Sequence, residues 1–308
     1  MITAYHHPGF AVPLGEHVMP MRKFALVADA VHAEALARVQ APAPIAEGDL
    51  LRAHTPEYVR AVRTGEPRAL AESQKFPWSP ALHSSVLLTN GGVVAAARAA
   101  LADGVAAAVA SGFHHAHADH GEGFCTFNGL VVAADVLHAE GAVARVAVLD
   151  CDLHYGNGTA SLCGGRPHLY NCSIYGNDYH QNQPFRDVSV VRHEDGPNHR
   201  SYALPNGSGR PALLEALERG ATDLLAWGRP DLVLYQAGAD PYREDPYSPL
   251  DLDHEDLRQR DRWVFEWAKR HGFPIAWVLA GGYTADVSKV VAVHVGTFEV
   301  ARLVFRRV

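Results

Sequence analysis

An α/β domain with a mostly parallel sheet is what this sequence predicts, and three observations carry it. Short apolar runs of strand type alternate with longer segments of helical periodicity. The strand-like runs are apolar at nearly every position rather than at every second one, so both of their faces are buried, as in a parallel sheet between helices. No linker of low complexity and no repeat interrupts the chain, so residues 1–308 read as a single domain of three layers, αβα.

The elements follow in order. Residues 23–40 are apolar at helical spacing and predict a helix. Thr55-Pro56-Glu57 is a helix start, with a capping Thr and then Pro at the first helical position. Two Ala-rich helices are expected over 81–103 and 128–141, with a short buried strand over 105–110 between them. A strand begins at Val146. The segment 173–210, rich in Asn, Gly, Pro and His, reads as a long loop region holding at most one short strand. Helices over 211–228, 254–272 and 284–306 and strands over 232–236 and 274–279 complete the alternation.

Composition excludes some functions. With 48% hydrophobic and 20% charged residues, the 308-residue chain is ordinary for a globular protein. A formal net charge of −7 and the lack of any basic run give nucleic-acid binding no electrostatic support. The four cysteines, Cys125, Cys151, Cys163 and Cys172, form no C-x-x-C pair, which argues against a zinc knuckle and a thiol redox site. No signal peptide and no apolar run of about 18 residues is seen, so no membrane partner is expected and the cytoplasm is the expected compartment.

The chemistry is concentrated at strand ends. The run Val146-Ala-Val-Leu-Asp-Cys-Asp-Leu-His154 reads as a buried strand leading into Asp150, Asp152 and His154. Alternation along the strand puts these three on one face and Cys151 on the other, in the core. An apolar core has no use for two carboxylates and an imidazole, whereas a divalent metal such as zinc binds that mixture. Ligands of open parallel sheets bind beyond the carboxyl ends of strands. Three further strands end in the same style, in Ser111-Gly-Phe-His114-His115-Ala-His117, in Ala237-Gly-Ala-Asp240 and in Ala280-Gly-Gly-Tyr283.

These residues resemble a known family. The run Gly112-Phe-His-His-Ala-His-Ala-Asp-His-Gly-Glu-Gly-Phe-Cys125, the Asp150-x-Asp-x-His-x-Gly-Asn-Gly158 run, Ala237-Gly-Ala-Asp240 and Gly281-Gly-Tyr283 are similar to the zinc-dependent histone deacetylases, in order and separation. The resemblance covers nearly the whole chain, more weakly before residue 80. Gly112-Phe-His-His, Gln236-Ala-Gly-Ala-Asp and Arg260-Asp-Arg-Trp-Val-Phe265 look most like the class IV branch. The fold it implies is the arginase/deacetylase fold.

The resemblance also implies roles. Asp152, His154 and Asp240 become ligands of one Zn²⁺ per chain, and three protein ligands leave a position open for water. His115 becomes the general base for the water and then the acid for the leaving amine, with His114 its hydrogen-bonded neighbour. Asp150 supports His114, and Asn157 stands behind His115 where some branches carry Asp. Tyr283 corresponds to the donor to the oxyanion. Phe124 matches an aromatic wall of the acyl channel, with the Gly123 carbonyl beside it and Tyr179 and Phe185 as candidates for the opposite wall. Tyr247 lies where the family varies, and Phe76-Pro-Trp-Ser-Pro80 stands where some branches have a peptide-clamping acid. Structural K⁺ sites of the family fall near the backbone of Asp150, Asp152 and His154 and around Ser173. His117 and His120 match no role and are expected to face solvent. The implied reaction removes an acyl group from an amine, most simply acyl-lysine. The alternatives are a small-molecule deacetylase, a binuclear manganese ureohydrolase and a non-enzymatic binding protein.

Overall fold

Five strand residues lie side by side across the middle of the sheet: Ala108, Val278, Gln236, Asp150 and Ser173. Because every strand pair is parallel, the loops that follow these residues emerge along one edge. That row positions the site.

The computed structural model describes residues 1–15, 17–183, 185–189 and 195–306. Its strands are β1 (Ile2–Tyr5), β2 (Ala37–Gln40), β3 (Val105–Ala108), β4 (Val146–Asp150), β5 (Leu169–Tyr175), β6 (His199–Ala203), β7 (Leu232–Gln236) and β8 (Ile275–Val278), ordered β2-β1-β3-β8-β7-β4-β5-β6. The helices are α1 (Lys23–Ala33), α2 (Glu47–Leu50), α3 (Pro56–Thr64), α4 (Arg68–Ala71), α5 (Pro80–Asp103), α6 (Gly129–Ala139), α7 (Asn157–Cys163), α8 (Arg210–Trp227), α9 (His254–His271) and α10 (Val287–Val304). Strands β3, β4, β5, β7 and β8 are buried at every position, so helices and loops cover both faces. Helices α1, α9 and α10 pack together, while α5 lies along β1, β3, β7 and β8 with α6 beside it.

Local chemistry sets the helix ends. Thr55 caps α3 by accepting from the Tyr58 amide, and Pro56 fills the first turn. Asp253 and Asp256 form a reciprocal capping box on α9, and Gly272 closes that helix at a φ of 67°. At 24 residues α5 is long and apolar enough to span a membrane, although no unbroken apolar run was evident in the sequence. Most of its most apolar stretch is buried inside the protein, which accounts for the composition.

The structure corrects several expectations. The apolar segment 23–40 is not one helix: α1 stops at Ala33, Ala35 turns the chain at a φ of 51°, and residues 37–40 are strand β2. Ile2–Tyr5 pairs with both β2 and β3. The region read as loop from 173 contains the end of β5 and all of β6, and positions 184 and 190–194 within it lie outside the described residues. The expected parallel sheet is present, and among the described residues every pairing of its strands is parallel.

Candidate active site

Strand β4 ends at Asp150, so alternation along a strand does not bring Asp152 and His154 together. Hydrogen bonds in the loop do. Asp150 Oδ1 accepts from the Asp152 amide at 3.1 Å, and Asp152 Oδ1 accepts from the His154 amide at 2.9 Å. From the neighbouring strand ends, Asp240 Oδ1 accepts from the Leu153 amide at 3.0 Å, and Asp152 Oδ2 accepts from the Gly281 amide at 2.8 Å. Each carboxylate is thereby aimed by backbone donors, and His154 Nδ1 lies 3.2 Å from Asp152 Oδ1 and 3.1 Å from Asp240 Oδ2.

The three side chains are buried, and one donor atom from each lies within 4.8 Å of the others. Two buried carboxylates need a cation between them. Hydrogen bonds to Asp152 and Asp240 overcome burial and lift the His154 imidazole to about 10, so electrostatics alone would hold a positive charge there. Glycines make the room. A Cβ on Gly281 would fall 1.9 Å from Asp240 Oδ2 and 2.7 Å from Asp152 Oδ2, and one on Gly238 would fall 2.6 Å from Asp240 Oδ1. Two carboxylates and one imidazole form an oxygen and nitrogen donor set suited to zinc, so the residues fit a catalytic divalent metal.

The tandem histidines reach the same place from β3. His114 Nδ1 lies 2.7 Å from Asp150 Oδ2, and the Gly156 backbone presses against that carboxylate. His115 Nδ1 lies 2.6 Å from Asn157 Oδ1, with the two imidazole rings 4.0 Å apart. The amide of Asn157 has its orientation set from behind: Nδ2 donates to Glu122 Oε2 at 2.7 Å. A carboxylate only accepts, so Oδ1 faces His115, Nδ1 of His115 carries a proton, and its Nε2 keeps a free lone pair. Burial, then the charges of His114 and His154, push the His115 imidazole well below its ordinary value. At His114, the Asp150 carboxylate outweighs burial and raises it.

A channel lined by Gly123, Phe124, Tyr179, Asn182, Tyr247 and Tyr283 leads to His115 and His154. Gly123 and Phe124 both take positive φ (53° and 64°), which swings the Phe124 ring onto Phe76, stacked at 5.3 Å. Tyr179 stacks on the His115 ring at 3.9 Å, so it does form an opposite wall. Phe185 instead is 64% exposed and touches Tyr247 at the rim. Tyr283 stands 5.1 Å from Tyr247, its amide donating to Asp245 Oδ2 at 2.7 Å. Beyond the channel lies a second, small space of about 40 Å³, lined by Phe10, Val12, Met19, Met21, Phe24 and Leu82 and reaching His114, His115 and Asp152.

The histone deacetylase domain family matches residues 17–298. That is most of the chain. The chain belongs to the histone deacetylase family. It is 30% identical over 306 residues to an uncharacterized protein of Picosynechococcus sp., covering 97% of this chain and 98% of that one. It is also 33% identical to acetylpolyamine amidohydrolase 1 of Pseudomonas aeruginosa over 59% of this chain and 51% of that relative. The crystal structure of acetylpolyamine aminohydrolase from Burkholderia pseudomallei superposes with a TM-score of 0.78 at 22% identity, covering 99% of each chain, which shows a shared arginase/deacetylase fold. As a member of this family the chain is an amide hydrolase by descent, and such enzymes generally use a metal ion.

Several partners in the site were not legible in the sequence. Lys23 is fully buried, donates from Nζ to the Ala280 carbonyl at 2.7 Å, and is pushed by burial down to about 8. It braces the loop that carries Tyr283; in the sequence it reads as the charged start of a helix. Arg260 donates to the Gly238 and Cys151 carbonyls, tying two ligand loops together. His117, expected in solvent, is half-buried, its Nε2 3.2 Å from Glu122 Oε2 and its Nδ1 2.9 Å from Ser161 Oγ; the side chain of His120 is the more exposed of the two.

Proposed function

We propose that this chain is a zinc-dependent amidohydrolase that removes an acyl group from an amine, with acyl-lysine in proteins or peptides as the leading substrate. The observation that carries the reading is the convergence of Asp152, His154 and Asp240 with His115 and Tyr283 at the inner end of a narrow aromatic channel. Bound by those three ligands, zinc would supply Lewis acidity to water and to the scissile carbonyl.

The chain's own residues do the rest. His115 Nε2 takes the proton of the attacking water, and the imidazolium returns it to the leaving amine. Asn157 holds the tautomer this requires. His114, bound to Asp150, keeps positive charge beside the developing anion. Tyr283 donates its hydroxyl to the oxyanion, worth on the order of 3 kcal/mol. Phe124 and Tyr179 flank the acyl chain and exclude water, and Gly123 offers its carbonyl to the substrate amide N–H.

The second reading is an acylated small amine, favoured by relatives named acetylpolyamine amidohydrolases. We assign the chain to the class IV branch on its Arg260–Phe265 run. The four cysteines are free and buried, which supports a reducing compartment, the cytoplasm. The test is hydrolysis of a panel of acyl-lysine peptides and acylated amines from acetyl to long fatty acyl, with His115→Ala as control. Turnover by the zinc-loaded wild type and loss in the variant is expected. No turnover of any substrate with zinc bound, or full activity in His115→Ala, sinks the reading.

A further inference from the structure

The two tandem histidines are supported unequally. His114 has a carboxylate directly behind it, whereas His115 has the neutral amide of Asn157. One bond further out the missing charge returns: Asn157 Nδ2 donates at 2.7 Å to Glu122, which is only 4% exposed. We propose that Glu122 is a positioning residue for the proton shuttle, orienting His115 through Asn157 with one oxygen and the channel wall that covers His115 with the other. The proposal rests on the amidohydrolase reading above for the shuttle's purpose, but not for its geometry.

The second oxygen carries the other half. Glu122 Oε1 accepts from the Asn182 amide at 2.6 Å. Asn182 Oδ1 in turn accepts from the Gly123 amide and from the Tyr179 hydroxyl, each at 3.0 Å. Tyr179 is the ring stacked on His115. One carboxylate therefore sits at the junction of the shuttle's orienter and the shuttle's lid. An ionised carboxylate accepts at both oxygens without offering a competing O–H donor, which suits the donors gathered here. Burial alone would raise it, and bonds from His117, Asn182 and Asn157 more than compensate, holding it below the usual carboxylate range. An ionised Glu122 polarises the Asn157 amide, strengthens its bond to His115 Nδ1, and favours the imidazolium that forms in the reaction. The titratable groups facing Glu122 are His117, with His120 stacked on it and Asp119 bound to His120; those facing His115 are His114, His154 and Asp152.

A purely structural role for Glu122 predicts changes in stability alone. Glu122→Gln removes the charge, and a glutamine amide can face Asn157 either way round. The double variant Glu122→Gln/Asn157→Asp moves the carboxylate inward and keeps the bonds from His115 to residue 157, from residue 157 to residue 122 and from the Asn182 amide to residue 122, with His117 Nε2 turned from donor to acceptor. In Glu122→Gln we expect kcat to fall by about 10- to 100-fold with zinc content retained, and the acid limb of the kcat profile to move to lower pH. The double variant should regain most of the kcat, with its acid limb above that of the wild type. Imidazole ¹⁵N spectra of the zinc-loaded protein, with the His115 signal assigned by His115→Gln, should show loss of the single Nδ1–H tautomer in Glu122→Gln. Wild-type kcat, pH profile and His115 spectrum in that variant overturn the proposal. If it does not fold, a folded, zinc-loaded but inactive double variant overturns it. Should the wild type hydrolyse no acyl amine, the functional reading fails and the ¹⁵N spectra alone decide on Glu122.

Discussion

A buried imidazole is charged or neutral according to what its two nitrogens meet, and this protein sets histidines in opposite states within one site. His54 is the simplest case. Its Nε2 accepts from the Asn128 amide and its Nδ1 faces the His117 carbonyl, so both bonds suit the neutral ring. Burial then pushes it down to about 4. Its pKa is below the unfolded value near 6.5, so its contribution to stability is complete above pH 6.5 and is lost as pH falls towards 4. About 3 kcal/mol is at stake. His54→Gln keeps one donor and one acceptor and cannot titrate. Chemical denaturation from pH 7 to pH 4.5 should therefore show a steeper loss in the wild type than in the variant, and equal slopes would refute the assignment. At Tyr283 the prediction concerns rate. Tyr283→Phe leaves its amide bond to Asp245 in place, so the fold should persist while kcat falls about 10²- to 10³-fold. A loss confined to KM would remove Tyr283 from the oxyanion.

Among the elements, what could be read from the sequence followed burial. Strands β3, β4, β7 and β8 are continuous apolar runs, visible as such, and their ends delivered Asp150, Asp152, Asp240, His114, His115 and Tyr283. Strand β5 was missed because Asn171 and Ser173 look like loop residues, yet both are buried. Edge strand β2 was missed because its four residues continue the apolar pattern of α1. Partners that act through tertiary contact, such as Glu122 and Lys23, leave no periodic mark. Arg260 on α9 belongs with them. It pairs with Asp261 inside the protein and donates to the carbonyls of Cys151, one residue before Asp152, and Gly238, two residues before Asp240. Arg260→Met strips donors from both carbonyls and charge from beside Asp261. Asp261 keeps Tyr235 and Thr297 as donors, which limits the damage. The expected cost is about 3 kcal/mol, together with a zinc affinity lowered about 10- to 100-fold. Unchanged affinity in a destabilised variant would confine Arg260 to the fold.

For the whole molecule, the ligand set implies that metal and fold are coupled. The ligands come from the ends of β4 and β7, and the β8 loop hydrogen-bonds to one of them, so a bound ion joins three central strands at the edge where the sheet is least self-sufficient. Without a cation, Asp152 and Asp240 repel inside the protein, and burial and that repulsion raise the Asp240 carboxyl to about 6. Binding at a thousandfold excess over Kd adds about 4 kcal/mol to stability, which in a chain of this size amounts to a melting shift of several degrees. Chelation should lower the melting temperature of the wild type by that amount, and stoichiometric zinc should restore it. Asp240→Asn should melt at one temperature with or without chelator. Metal analysis gives a second, independent number: one zinc per chain fits three ligands with Asp150 committed to His114, whereas two manganese ions per chain would require Asp150 as a ligand and dismantle the His114 pair. A melting temperature indifferent to chelator in a wild type that retains no metal would show that these carboxylates hold only the protonated His154, and the hydrolytic reading would fall with them.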